Sequence, residues 1–176
     1  MAYSLRTFYS TNTILTNLHP DHLDWHKDLQ EYYGAKLNLL AHTKENIVYP
    51  ESVLAIVPEL SDFPLQAMVL SDVLPLENNL LALSSEVFLD VSEKQLFGTH
   101  NLRNIYSAAI LSLKLGMSVK TLSSILPYIS ALPHRLQQIS QKDDKIWIDD
   151  SKSTTAQSLY AALAAFAPKK VHLIAG

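Results

Sequence analysis

The chain has 176 residues, a formal net charge of −3, 48% hydrophobic residues, 18% charged residues and no cysteine. That apolar share is enough for one or two globular cores, and the near-neutral balance leaves no basic surface of the kind that nucleic acid requires. Disulfides and thiolate metal sites are excluded, no apolar run reaches membrane-spanning length, and the first residues lack the apolar centre of a secretory leader.

Residues 10–16 read as a strand centred on Thr13, Ile14, Leu15 and Thr16. A polar loop covers 17–26. The spacing of Leu29, Tyr32, Tyr33, Leu37 and Leu40 then predicts an amphipathic helix over 28–42. Between 44 and 93, short apolar runs at 47–49, 53–57, 67–70, 80–83 and 87–89 alternate with Pro, Asp, Asn and Ser, and suit short strands and connections. Gly98-Thr99-His100-Asn101 opens a helix over 102–115, with Gly116 as its C-cap. Ser118 caps a shorter helix whose Val119, Leu122, Ile125 and Leu126 face inward, and Pro127 ends it. Beyond a boundary near 130–133 come a strand-like run to Gln141, a charged turn and a short buried strand at Ile146, Trp147 and Ile148. A helix over 155–167 and a strand at 171–175 follow.

Chemistry-bearing residues gather in four places. Asp149 to Lys152 turn polar between the end of a strand and the start of a helix, where α/β folds bind ligands and free N–H groups favour a phosphate. Nearby, Arg135 offers forked donors for a polyphosphate or a ribose. His19, Asp21, His22, Asp24 and His26 crowd one loop in a pattern suited to a metal held by oxygen and nitrogen, zinc on spacing alone, although such clusters are commonly solvated loops or helix caps. Lys36 lies on the predicted helix, where a lysine is usually a solvated side chain. Asn101 and Asn104 stand one turn apart at a helix start, where asparagine is also an ordinary cap.

Leu132-Pro133-His134-Arg135 followed by Asp150-Ser151-Lys152 at a strand end resembles the Mur ligase family, and within it the class that adds D-glutamate. The same resemblance runs through Thr16-Asn17, Asp21-His22-Leu23-Asp24, Ala35-Lys36 and Gly98-Thr99-His100-Asn101 with Asn104. It implies an α/β fold: 1–131 as the later part of a central ATPase domain, a mostly parallel sheet flanked by helices with a small β portion, and 132–176 as the start of a Rossmann-like C-terminal domain. It implies an ATP-dependent amide-bond-forming ligase that joins D-glutamate to UDP-N-acetylmuramoyl-L-alanine through an acyl phosphate in the cytoplasm, with Mg²⁺ and ATP. His22 and a carbamylated Lys36 would hold the metal. Asn101, Asn104, Arg135 and Asp150 would bind ATP, and Lys152 and Thr154 the substrate, with His22, Lys36 and Lys152 catalytic. Asp21 and Asp24 would support His22 or cap, while His19 and His26 inherit no role. Thr155 departs from the family's asparagine.

No glycine of the chain is followed by lysine, so a Gly-x-x-Gly-Lys-Thr/Ser phosphate loop is absent. The implied reading is therefore an internal piece of a longer enzyme, inactive alone. Two rival readings use fewer features: a metal-dependent hydrolase built on His19, Asp21, His22 and His26, and a non-catalytic binding module.

Overall fold

The computed structural model describes residues 9–20, 25–62 and 66–175, and the chain divides into two compact units, Met1–Leu74 and Pro75–Gly176.

In the first unit, β1 (Ser10–Ile14), α1 (Leu29–Ala41) and β2 (Thr43–Pro50) form a strand–helix–strand crossover, and β1 pairs with β2 in parallel. A short helix, α2 (Glu51–Ile56), and a 3₁₀ turn at Pro58–Asp62 lead to β3 (Gln66–Leu70), which pairs in parallel on the other side of β2. The central strand is buried without a break from Asn46 to Tyr49, as expected for a parallel strand covered on both faces. Ile47 and Tyr49 join Leu18, Leu40, Val53 and Leu60 in one core, with Leu37 of α1 and Leu54 of α2 against it. Two polar pairs cross the strands: Thr13 and Thr43 share a hydroxyl contact of 2.6 Å, and Asn46 donates to Asn12 Oδ1 at 2.6 Å. Helix α1 starts where expected because Asp28 accepts from the Glu31 N–H at 2.9 Å, the usual N-cap bond.

The run at 53–57 is a helix rather than a strand. Val53 of α2 is fully buried and Leu54 packs partly buried against the same core. Glu51 is tied to the Asp72 N–H at 3.1 Å, which fixes the first turn.

In the second unit, β4 (Leu76–Glu77), β5 (Leu80–Ala82) and β6 (Phe88–Asp90) form a small antiparallel meander, its first turn made by Asn78 and Asn79 at φ 49° and 63°. These are the left-handed conformations that a two-residue hairpin turn demands. Helix α3 (Thr99–Lys114) begins three residues earlier than its sequence spacing suggests, and Gly116 at φ 90° closes it. In α4 (Val119–Ile125), Ser118 accepts from the Thr121 N–H at 3.1 Å as the N-cap.

An antiparallel hairpin, β7 (Gln137–Lys142) and β8 (Lys145–Asp149), precedes α5 (Ala156–Ala164). Two expectations fail here. Trp147 is 52% exposed, because among the described residues β8 has a partner on one side only, so the strand is not buried. Residues 171–175 form no strand and are exposed, since an apolar run becomes a strand only where another strand supplies its ladder bonds.

Candidate functional site

The register of the β7–β8 hairpin builds the main site. Asp143 and Asp144, at φ 52° and 59°, make the turn and set Lys142 opposite Lys145 and Ser140 opposite Trp147. A bulge at Ile139 shifts the pairing by one, so Gln137 faces Asp149. Carried past the end of the ladder, that register sets Leu136 against Asp150 and His134 against Lys152. The bonds are there: the Leu136 N–H donates to Asp150 Oδ1 at 2.9 Å, and the Lys152 N–H donates to the His134 carbonyl at 3.1 Å.

Side chains join the same two turns. His134 Nδ1 lies 2.8 Å from Asp149 Oδ2, whose other oxygen accepts from the Ser151 N–H at 3.0 Å. The His134 N–H donates to Gln137 Oε1 at 3.1 Å, and the Ser153 hydroxyl donates to Asp150 Oδ2. His134 and Leu136 flank Arg135 at φ 65° and 46°, a left-handed geometry uncommon outside glycine that the surrounding bonds enforce. Arg135 and Lys152 are exposed, and each sits on a turn bonded to the other. The arrangement presents two cations from a fixed backbone, a geometry suited to an anion with several oxygens.

Asp149 is the residue whose part the sequence did not reveal. The Ser151 N–H first, and then His134, hold its carboxyl down at about 2. A group whose folded value lies below its unfolded one of about 3.9 favours the fold fully above that value, and its contribution disappears as pH falls through about 2. An NMR titration of the Asp149 carboxyl carbon is expected to show that low midpoint in the native chain and an ordinary one in His134→Ala/Ser151→Pro; equal midpoints would disprove the bonding.

The helix-start motif belongs to this neighbourhood. Burial against surrounding atoms lowers the proton affinity of His100, and the Asp150 carboxylate works in the opposite direction. Phe97 and Phe166 meet in a tilted contact, 5.1 Å between ring centroids at 47°, which ties the start of α3 to the end of α5. Asn101 is committed locally: its Nδ2 donates to the Phe97 carbonyl at 2.8 Å, and its Oδ1 accepts from Asn104 at 3.4 Å. Asn104 is exposed. Thr154 is exposed, whereas Thr155 caps α5 in a reciprocal pair with Ser158, accepting from its N–H at 3.2 Å and donating N–H to its hydroxyl at 3.1 Å. A threonine performs that capping as well as an asparagine would.

In the first unit, Lys36 is half-buried on α1 with its ammonium 4.7 Å from the centre of the Tyr32 ring, and the His26 ring lies 5.4 Å from the same ring. His19 is exposed. Asp21, His22 and Asp24 lie outside the described residues. Among those described, no group of three His, Cys, Asp or Glu side chains could hold a metal ion. Lys36 is therefore seen against the Tyr32 ring and in no metal-ligand group among the described residues. No described helix is long and apolar enough to cross a membrane.

Residues 4–58 match the Mur ligase middle domain family. The chain is 31% identical to the UDP-N-acetylmuramoylalanine–D-glutamate ligase of Haemophilus influenzae, over 99% of this chain and 42% of that protein. It spans about two fifths of the length of the curated relatives it matches. The fold superposes on MurF from Acinetobacter baumannii with a TM-score of 0.72 at 20% identity, covering 96% of this chain and 40% of the other. The MurF ligase of Thermotoga maritima in complex with ADP gives 0.68 at 15% identity, covering 93% and 40%. At those identities the structures establish a shared fold, the α/β architecture that the sequence motifs imply.

Proposed function

We propose, on the premise that this chain belongs to the Mur ligase family, that it carries part of the machinery of an ATP-dependent ligase joining D-glutamate to UDP-N-acetylmuramoyl-L-alanine in the cytoplasm. The observation that supports this most directly is the pair of bonded turns that holds Arg135 and Lys152 on one rigid backbone beside Asp150.

In the reaction, the carboxylate of the muramoyl-alanine attacks the γ-phosphorus of ATP, ADP departs, and an acyl phosphate forms. The D-glutamate amine then adds to the acyl carbon, and the tetrahedral intermediate collapses with release of phosphate. Charge accumulates on the phosphoryl oxygens in both steps, so fixed cations lower the barrier by electrostatics and positioning. Lys152 takes the transferring phosphoryl group, Arg135 the polyphosphate, and Thr154 the phosphate or the incoming glutamate. Asn104 reaches the nucleotide from the start of α3, with Asn101 bracing it. Asp150 faces the ribose while its oxygens hold the Leu136 and Ser153 donors. His22 and Lys36, as a carbamate, are the residues that would hold Mg²⁺, which when bound neutralises phosphate charge. Within this reading, 1–131 belongs to the central domain and 132–176 to the C-terminal one, a division by ancestry distinct from the compact units.

Calorimetric titration tests the assignment. ATP is expected to bind, and D-glutamate alone, among D-glutamate, L-alanine and 2,6-diaminopimelate, is expected to give further heat at saturating ATP. No heat with ATP, or a response to diaminopimelate instead, overturns the reading. With no phosphate loop in the sequence, these 176 residues alone are expected to release no phosphate from ATP when all substrates are present.

A further inference from the structure

We infer that His134 and Asp149 form a clasp that positions Arg135 and Lys152 for polyphosphate, an inference that rests on the phosphate-binding reading above. The clasp joins the residue just before Arg135 to the residue three before Lys152, at 2.8 Å between Nδ1 and Oδ2. His134 is engaged at three points: its N–H by Gln137, its carbonyl by the Lys152 N–H, and its ring by Asp149. Each contact restrains a turn that carries a cation.

The clasp also settles which donors Asp149 accepts from. A free carboxylate two residues before an exposed lysine's own turn would draw that lysine, or Arg135, into a surface ion pair. Here one oxygen is taken by the Ser151 N–H and the other by the imidazole. Because a carboxylate only accepts, Nδ1 carries the hydrogen, which fixes the tautomer and leaves Nε2 outward on a side chain 53% exposed. Among the described residues, Arg135 and Lys152 then have no carboxylate partner, and their charge stays available to an external anion. His134 and Asp149 do not touch that anion; they are positioning residues.

Substitution separates this role from a merely structural one. Asparagine tolerates the left-handed backbone of position 134 and keeps an N–H donor for Asp149, whereas alanine has neither advantage. Binding of ATP and of inorganic triphosphate to the intact chain would be measured at low salt for the native protein, Arg135→Ala, Lys152→Ala, His134→Ala, His134→Asn, Asp149→Ala and Asp149→Asn, alongside thermal unfolding. Arg135→Ala and Lys152→Ala are expected to weaken both ligands. His134→Ala and Asp149→Ala are expected to weaken both by about tenfold, the scale of one lost charge-assisted hydrogen bond, and His134→Asn to restore most of it at an unchanged melting temperature. Asp149→Asn, which preserves shape and an acceptor oxygen, keeps the test open should the alanine variants unfold, and is expected to bind within a few-fold of native.

Native-like binding by folded His134→Ala and Asp149→Ala, with Arg135→Ala and Lys152→Ala still weakened, overturns the clasp and leaves the phosphate reading intact. Weakening that only tracks a lower melting temperature, with no rescue by His134→Asn, also overturns it. Triphosphate affinity indifferent to Arg135→Ala and Lys152→Ala overturns the phosphate reading itself.

Discussion

Asp150→Ala is expected to separate the two turns of the site, lowering stability by about 1–3 kcal/mol, the cost of leaving a buried donor unmet. Leu136 is only 4% exposed, and its N–H has the Asp150 carboxylate as its partner at 2.9 Å. The Ser153 hydroxyl, on the other carboxylate oxygen, loses its acceptor in the same variant. Asp150→Asn keeps an oxygen for Leu136 and is expected to cost much less. The pair also distinguishes two uses of the same side chain. If Asp150 meets the ribose, Asp150→Asn weakens ATP while leaving inorganic triphosphate unchanged. If it serves only as the brace, Asp150→Ala weakens both together and Asp150→Asn weakens neither. Removing the carboxylate also withdraws the charge that favours a proton on His100, so the imidazole of Asp150→Ala is expected to titrate lower still. Urea unfolding and a proton NMR titration of His100 measure the two effects.

Much of the scaffold was legible because its signals are local. Asp28 and Ser118 mark helix starts that the structure confirms by N-cap bonds, and Gly116 marks a helix end with φ 90°. These need only the chain within four residues. The readings that failed depend on neighbours: whether 171–175 becomes a strand, and whether Trp147 is covered, is decided by which strand lies alongside. The α2 segment is similar, since Val53 and Leu54 meet the core and Glu51 finds its partner at Asp72, twenty-one residues away. The site divides in the same manner. Arg135, Asp150 and Lys152 carry motif signals, whereas Asp149 becomes meaningful only through His134, fifteen residues earlier. A signal was present in the Asp143-Asp144 turn, because counting outward from a two-residue hairpin brings 134–137 against 150–153, one residue from the observed partners 149–152. The Ile139 bulge, which shifts the count by one, is not visible in the composition of the strand.

Gly98→Ala is expected to be the most damaging single-methyl change in the second unit, at roughly 3 kcal/mol or more from strain and overpacking together. Gly98 is the N-cap of α3 at φ 86° and ψ 155°, a backbone region open essentially to glycine alone. An added Cβ would lie 2.8 Å from His100 Cε1, 2.9 Å from His100 Nδ1 and 3.0 Å from Ala165 Cβ. The imidazole can rotate away, but Ala165 Cβ is fixed to the backbone at the end of α5, so α3 and α5 must move apart. That movement pulls on the Phe97–Phe166 contact and carries Asn101 and Asn104 with the helix start. Gly116→Ala supplies the matching control: its φ of 90° is nearly the same, yet nothing lies within 4 Å of the added Cβ. Backbone strain alone should cost it about 1–2 kcal/mol. The difference between the two variants in urea unfolding therefore reports the packing of α3 on α5, and equal losses would mean that the helices yield freely and that this packing does not fix the asparagine pair at the start of α3.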